Sequence, residues 1–274
     1  MDLNACGHRL IQSASNPVIK RAKSLRDKKY RRLEGHFLAE GLRILAEARD
    51  AGVLPQQLFY ADDREPHPLS EALIAATMAS GGEVIATSTD ILARLSGKDN
   101  PQTLIGIYPD QLRELIHIDR ASAPIWLVVQ AMRDPGNLGT IMRTGDAVGA
   151  GGVILIDDCV DPFSVETVRA SMGAIFTQVI ATARWPDFIA WLRGGPGTLV
   201  GTSLAQGSVD YRQPDYPVPT FIVTGNEARG LPPEYEAECD ILVKMPMLGR
   251  ADSLNAAVAT AVMAYQVLDK QGGG

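Results

Sequence analysis

Ile125-Trp-Leu-Val-Val-Gln-Ala-Met-Arg-Asp134-Pro-Gly-Asn137-Leu-Gly-Thr-Ile-Met-Arg143-Thr-Gly-Asp-Ala-Val-Gly149 joins an apolar, β-branched run to a helical stretch through a Pro-Gly turn. A run with no polar alternation marks a strand buried on both faces, as in a parallel sheet. Pro135-Gly136 forms the turn, Asn137 is placed to cap the helix that follows, and Gly149 can end it in the left-handed conformation. Downstream the same pattern repeats. Strands are expected at 125–130, 153–157, 198–203, 220–224 and 241–245, with a short one at 179–181. Helices are expected at 137–148, 163–172, 186–193, 232–237 and 252–269, so the second half reads as an α/β domain whose parallel sheet is covered on both faces.

Upstream, residues 17–33 read as a basic helix and 37–39 as a short strand, followed by an amphipathic helix at 41–51 with Leu42, Leu45 and Ala48 on one side. Alternation continues with extended segments at 53–60, 83–86 and 103–108 and helices at 69–79 and 88–95, which describes a small α/β domain. The connector 109–124 ends in Ala121-Ser-Ala-Pro124 and sets a boundary near 120, giving domains 1–120 and 121–274.

Composition narrows the function classes. The chain has 274 residues, 46% of them apolar, enough for two cores. Its longest apolar run is far too short to cross a bilayer, and Met1-Asp2-Leu3-Asn4 lacks the order of a signal peptide, so a cytoplasmic protein is expected. Cys6, Cys159 and Cys239 form no Cys-x-x-Cys pair, and the four histidines lie in the first 117 residues. Neither a zinc cage nor imidazole chemistry is therefore expected in the second half. The net charge is −6, yet Lys20–Arg32 carries eight Lys/Arg against one Asp. Lys20, Arg21, Lys23, Arg26, Lys28, Lys29, Arg31 and Arg32 are thus candidate phosphate contacts, the alternative being a solvated helix face.

Three strand-end segments carry candidate chemistry. In the first, Arg143 lies inside the helix opened by Asp134-Pro-Gly-Asn137; an i, i+3 pair with Asp146 is the plain alternative. The second is Val223-Thr-Gly225-Asn226-Glu227-Ala-Arg-Gly230-Leu231, where two glycines flank a carboxylate. It reads either as a loop brought close to a ligand or as a surface turn, and it lacks the Gly-x-Gly-x-x-Gly fingerprint of nicotinamide enzymes. The third is Met245-Pro-Met-Leu-Gly-Arg-Ala-Asp252-Ser253-Leu-Asn255, which runs into the last helix with Asp252 or Ser253 as expected N-cap. In that helix Leu254, Val258, Ala261, Tyr265 and Leu268 form a stripe suited to a core or a dimer seam. Ser203 is not a hydrolase nucleophile, since its Gly-x-Ser-x-Gly elbow is incomplete and no histidine follows.

Taken together and in this order, the three segments resemble the SpoU (TrmH) family of RNA ribose methyltransferases within the SPOUT class, over residues 125–270. Asn137, Gly139 and Arg143 match its first motif. Gly225, Asn226, Glu227, Gly230 and Leu231 match the second, and Pro246, Gly249, Ser253, Leu254 and Asn255 the third. Asp161-Pro162 and Ala170-Ser-Met-Gly-Ala174 also look like a stretch of that family. Departures are Gly145 for a common alanine and Ala256-Ala257 for a bulkier pair. The N-terminal domain, with Asn16-Pro-Val-Ile-Lys and Phe37-Leu-Ala-Glu-Gly, resembles the substrate-binding domain of several members.

The resemblance implies an α/β SPOUT domain with a deep C-terminal trefoil knot behind a small RNA-binding α/β domain. It implies transfer of a methyl group from S-adenosylmethionine to a ribose 2′-hydroxyl of structured RNA, ribosomal rather than transfer RNA, by a homodimer without metal. The cofactor would lie against Thr202, Ser203, Leu204, Gly225, Asn226, Glu227, Met245, Met247, Leu248, Ser253 and Leu254. Catalytic roles would fall to Arg143, Asn137, Glu227, Ser253 and Asn255. Arg143, permanently cationic, would hold the target phosphate and stabilise the developing alkoxide. The competing reading is a non-catalytic RNA-binding or ribosome-assembly protein that keeps the fold.

Overall fold

The computed structural model describes residues 8–65, 67–97 and 103–272. These gather into two compact units. The first holds the described residues up to Asp110 together with Asp161–Thr177, and the second holds Gln111–Val160 and Gln178 onward. This division differs from the single expected cut near 120, because one segment from the middle of the chain belongs with the N-terminal unit. Cys6 lies outside the described residues.

The N-terminal unit is built on a five-stranded mixed sheet in the order Arg9–Leu10, Glu83–Thr87, Gln57–Ala61, Leu104–Pro109, His36–Glu40. Leu38, Phe59, Ile85, Ile105 and Ile107 pack with Ile19, Ala22 and Leu25 and with Ile91, Leu92 and Leu95. The expected continuous basic helix is two helices, Pro17–Ser24 and Lys28–Glu34. The break has a local cause: buried Leu25 turns the chain inward, and Asp27 restarts the helix by accepting from the Lys29 amide at 2.8 Å. Gly35, with φ of 63°, closes the second helix and turns the chain into the strand His36–Glu40.

Aromatic packing and ion pairs explain why Asp161–Thr177 joins this unit. Phe37 stacks with Tyr108 and meets Phe163 and Phe176, with ring centroids 4.8 to 5.9 Å apart. The Arg31 guanidinium, buried, donates to Asp161 Oδ2 at 2.7 Å and to the carbonyls of Leu25 and Arg26. Arg169 reaches the buried Glu40 carboxylate at 3.1 Å. Burial raises the Glu40 carboxyl above its usual range, with the Arg169 charge acting against that rise.

The second unit is an eight-stranded sheet, parallel at every described pair, in the order Val209–Asp210, Ile241–Lys244, Thr198–Thr202, Thr220–Thr224, Ile125–Gln130, Gly152–Ile156, Val179–Ala183, Leu112–Arg113. The six expected strands form within a residue or two of the positions read from the apolar runs. The edge strands Leu112–Arg113 and Val209–Asp210, only two residues each, carry no such signal. Every residue of Ile125–Gln130 is buried, which is why that strand shows no polar alternation. One face is covered by the helix Trp185–Arg193, whose Trp185, Phe188 and Leu192 meet Trp126, Leu199 and Phe221. On the other, the helix Ala256–Lys270 lies against the helix Pro135–Ala147 and the two central strands. Chain order reverses between Ile125–Gln130 and Thr220–Thr224, and a crevice beyond the carboxyl ends of strands at such a reversal is where open α/β sheets bind ligands.

Candidate active site

Beyond those strand ends lies a cleft of about 580 Å³, lined by residues drawn from the segments 202–205, 224–236 and 243–263. Leu204, Leu231, Met245, Met247, Leu254 and Met263 supply apolar wall, and Ser203, Glu227, Glu236 and Asp252 supply polar groups. That mixture and that volume suit a nucleoside-sized ligand. Gly225 is required by the fold of the second loop: a Cβ there would stand 2.3 Å from the Gly230 carbonyl carbon. Removing that space would push apart the bridge in which the Asn226 and Gly230 amides and carbonyls bond one another at 2.9 and 3.1 Å.

A chain of side-chain amides links the three strand-end segments. Asn255 caps the last helix, its Oδ1 accepting from the Ala257 and Val258 amides at 2.9 and 3.2 Å. Its Nδ2 donates to Asn137 Oδ1 at 2.9 Å, and Asn137 Nδ2 in turn donates to Glu227 Oε1 at 3.4 Å. Glu227 also accepts from the Asp134 amide and from Asn226 Nδ2, while Asn226 Nδ2 donates to the Ala131 carbonyl at 2.9 Å. Ala131 has φ of 50°, a left-handed conformation costly for a residue with a Cβ, and it sits where the first segment leaves its strand.

Two capping expectations are corrected by this network. Asp134, not Asn137, caps the first helix, accepting from the Asn137 amide at 2.6 Å, so the Asn137 side chain is free to reach Asn255 and Glu227. Asn255, not Asp252 or Ser253, caps the last helix. Ser253 instead lies in the cleft wall with its hydroxyl 3.3 Å from Asp252 Oδ1. Gly149 does follow the first helix with φ of 67°.

Of the residues expected to hold a cofactor, Thr202, Ser203, Leu204, Gly225, Asn226, Glu227, Met245, Met247, Ser253 and Leu254 line the cleft. Leu248 does not: it is 99% exposed. Asn137, Glu227 and Asn255 are brought together. Arg143 stands apart from them, exposed on the first helix, with no hydrogen bond or ion pair among the described residues and no pair with Asp146. Sequence reading missed Glu236, Arg229 and Lys244, which also line the cleft. The Pro232-Pro233 helix start was legible, but only the fold turns Glu236 toward the loop after Thr198–Thr202.

Among the candidate RNA contacts, Lys20, Lys23, Arg26, Lys28, Lys29 and Arg32 are exposed. Arg21 is tied to Glu34 at 2.6 Å. Arg31 is corrected outright, since its guanidinium is consumed by Asp161 and two carbonyls. Burial pushes the Cys159 and Cys239 thiols up to about 11 and 12, so neither supplies a thiolate at neutral pH. No helix among the described residues is long and apolar enough to cross a membrane.

A crevice at the switch point of a parallel sheet, framed by the loops that follow its strands, defines a ligand-binding α/β domain. Comparison with known proteins gives the family. Residues 124–265 match the SpoU rRNA methylase family and residues 16–106 the MRM3-like substrate-binding domain. The chain belongs to the SpoU rRNA methylase family. An AdoMet-bound rRNA methyltransferase from Sinorhizobium meliloti is similar at 40% identity, with 96% of this chain and 98% of that one covered and a TM-score of 0.88. The SpoU methyltransferase AviRb from Streptomyces viridochromogenes, in complex with AdoMet, is similar at 28% identity over 94% and 99% of the two chains, with a TM-score of 0.82. The 23S rRNA (guanosine(2553)-2'-O)-methyltransferase RlmP of Bacillus subtilis is 28% identical over 94% of this chain and 98% of its own length.

Proposed function

We propose that this chain transfers a methyl group from S-adenosylmethionine to a ribose 2′-hydroxyl of ribosomal RNA. The observation that carries the reading is the Asn255–Asn137–Glu227 relay at the rim of a nucleoside-sized cleft, which ties all three family motifs into one site. Its fit to the cofactor rests on the apolar wall for an adenine, the polar groups beside it, and the glycine that keeps the second loop closed. When bound, the cofactor supplies a methyl carbon activated by a sulfonium.

The rest is the work of the chain's own residues. The bound cofactor would supply an in-line displacement, for which the chain's part would be to hold the ribose hydroxyl in a fixed orientation within the cleft. Asn137 and Asn255 orient that sugar, and Glu227 fixes Asn137 while tying the first loop to the second. Arg143, with its guanidinium unspent, binds the target phosphate and stabilises the alkoxide as the proton leaves. Ser253 and Leu254 complete the cleft wall. RNA is held by Lys20, Lys23, Arg26, Lys28, Lys29 and Arg32 through their phosphate contacts, and the 2′-hydroxyl distinguishes it from DNA.

Three finer features go with this reading. A homodimer is supported by the exposed Val258 and Tyr265 in the stripe of the last helix expected as core or dimer seam; Arg143 would then serve its own cleft or its partner's. Trefoil threading is supported by the strand Ile241–Lys244, which inserts out of chain order beside Thr198–Thr202. Ribosomal RNA as substrate fits a cytoplasmic site of action.

The deciding experiment maps 2′-O-methyl groups in ribosomal RNA from cells with and without the protein and repeats the transfer in vitro with labelled cofactor. One ribosomal position should lose its methyl group in the absence of the protein and regain it in vitro. Tight RNA binding with no transfer to any ribosomal position would favour the non-catalytic reading instead.

A further inference from the structure

The relay leaves one carboxylate of the cleft unused. Glu227 is engaged through both oxygens, and Asp252 lies on the exposed rim beside Ser253. Glu236 is different. It closes the short helix Pro233–Glu236 and lines the cleft, and one of its oxygens, Oε1, accepts a hydrogen bond from the Ser203 hydroxyl. Its other oxygen has no hydrogen-bond partner among the described residues. Arg229 and Lys244 line the same cleft, yet neither forms an ion pair with it among the described residues.

Both members of the Ser203–Glu236 pair are fixed from behind. The Ser203 amide donates to the Val243 carbonyl at 2.9 Å, and its hydroxyl oxygen accepts from the Ala205 amide at 2.9 Å, so the serine is oriented by the strand Ile241–Lys244 and by its own loop. The helix carrying Glu236 is pinned by the residue before it. Tyr235 stacks on Trp185, with centroids 4.1 Å apart and planes 3° from parallel, and its hydroxyl donates to Asp157 Oδ2 at 2.9 Å. A carboxylate held this firmly, with acceptor capacity to spare in the wall of a cavity, is a preorganised acceptor for a donor on the bound ligand.

We propose that Glu236, oriented by Ser203, is a recognition subsite for a hydrogen-bond donor of the cofactor, either the vicinal hydroxyls of its ribose or its α-ammonium group. The subsite rests on the reading of the cleft as the S-adenosylmethionine site. Its negative charge also favours a cofactor bearing a sulfonium over a neutral nucleoside. Glu236 is a binding residue in this scheme and touches no reacting atom.

Two probes separate the possible donors: S-adenosylhomocysteine, which has both the ribose and the amino-acid tail, and 5′-methylthioadenosine, which keeps the ribose and lacks the tail. Calorimetric titration of each into the full-length protein is compared with Glu236→Gln, Glu236→Ala and Ser203→Ala. The Glu236 variants should bind S-adenosylhomocysteine about 10- to 100-fold more weakly, as expected for loss of a hydrogen bond to a charged group, and Ser203→Ala less so. An equal loss for 5′-methylthioadenosine assigns the ribose, and an unchanged affinity for it assigns the ammonium group. In turnover, KM for the cofactor should rise while kcat at saturation holds, a split that a general loosening of the fold would not give. Wild-type affinity of both Glu236 variants for both probes overturns the subsite alone. Failure of the wild-type protein to bind either probe overturns the cleft reading and the subsite with it.

Discussion

Arg31 and Arg143 look alike in the sequence, each an arginine inside a helix within a stretch rich in functional signal. The structure gives them opposite roles. Arg31 lies in the most basic stretch of the chain yet is buried, with its guanidinium divided among Asp161 and two backbone carbonyls. Arg143 sits in the more acidic half and is exposed, with no partner among the described residues. Charge along a sequence counts how many cations exist; only the folded surroundings show how many are available. A cation that has exchanged water for fixed acceptors cannot also bind a phosphate without giving those acceptors up.

The contrast can be broken by substitution, and the largest effect is expected at Arg31. Arg31→Ala leaves the Asp161 carboxylate largely buried without its cation and orphans two carbonyls, a loss of about 3–5 kcal/mol by the usual cost of breaking a buried pair. Chemical denaturation followed by a probe of the N-terminal unit would measure it. A transition unchanged within about 0.5 kcal/mol, the scale of an ordinary surface substitution, would put Arg31 back among the free cations.

Arg143→Ala should do the reverse. Stability and cofactor affinity should hold, while methyl transfer falls about 100- to 1,000-fold, the usual scale for removing one group that stabilises an oxyanion. Labelled-methyl transfer under single-turnover conditions is the measurement. Transfer at the wild-type rate would remove Arg143 from the chemistry.

The smallest effect sharpens the comparison from the RNA side. Reversing the charge of Lys28, Lys29 and Arg32 together should weaken RNA binding and flatten its salt dependence, by up to about 0.7–0.9 in the log–log slope for each phosphate the protein no longer neutralises. Affinity for S-adenosylhomocysteine should not move. RNA titrations across a salt series test this, and an unchanged slope would leave these side chains as an ordinary solvated surface.

Much of the second unit was legible because its central strands are buried on both faces and announce themselves as unbroken apolar runs. Glycine at 225, where a Cβ would strike the Gly230 backbone, was legible for a similar reason: a local constraint leaves a local mark. The caps were misread because capping ability belongs to a residue type while its use depends on the neighbours. Asp134 and Asn137 can each cap one helix, and the aspartate did so, which released the asparagine to bridge Asn255 and Glu227. Leu248 shares a loop with Met247, yet only Met247 lines the cleft, since a loop lacks the fixed periodicity that would settle which side a residue faces.

By itself the sequence determined the α/β class, the positions of the six longer strands of the parallel sheet, the three motif loops and, by resemblance, the family. Each is written in local pattern: burial period, turn residues and motif spacing. Only the tertiary structure decided that Asp161–Thr177 packs with the N-terminal unit, that Arg31 is spent there, and that Glu236 faces the cleft beside Ser203. Those outcomes depend on pairings between residues 33 to 130 positions apart, and no local pattern encodes which of several competent partners a side chain will meet.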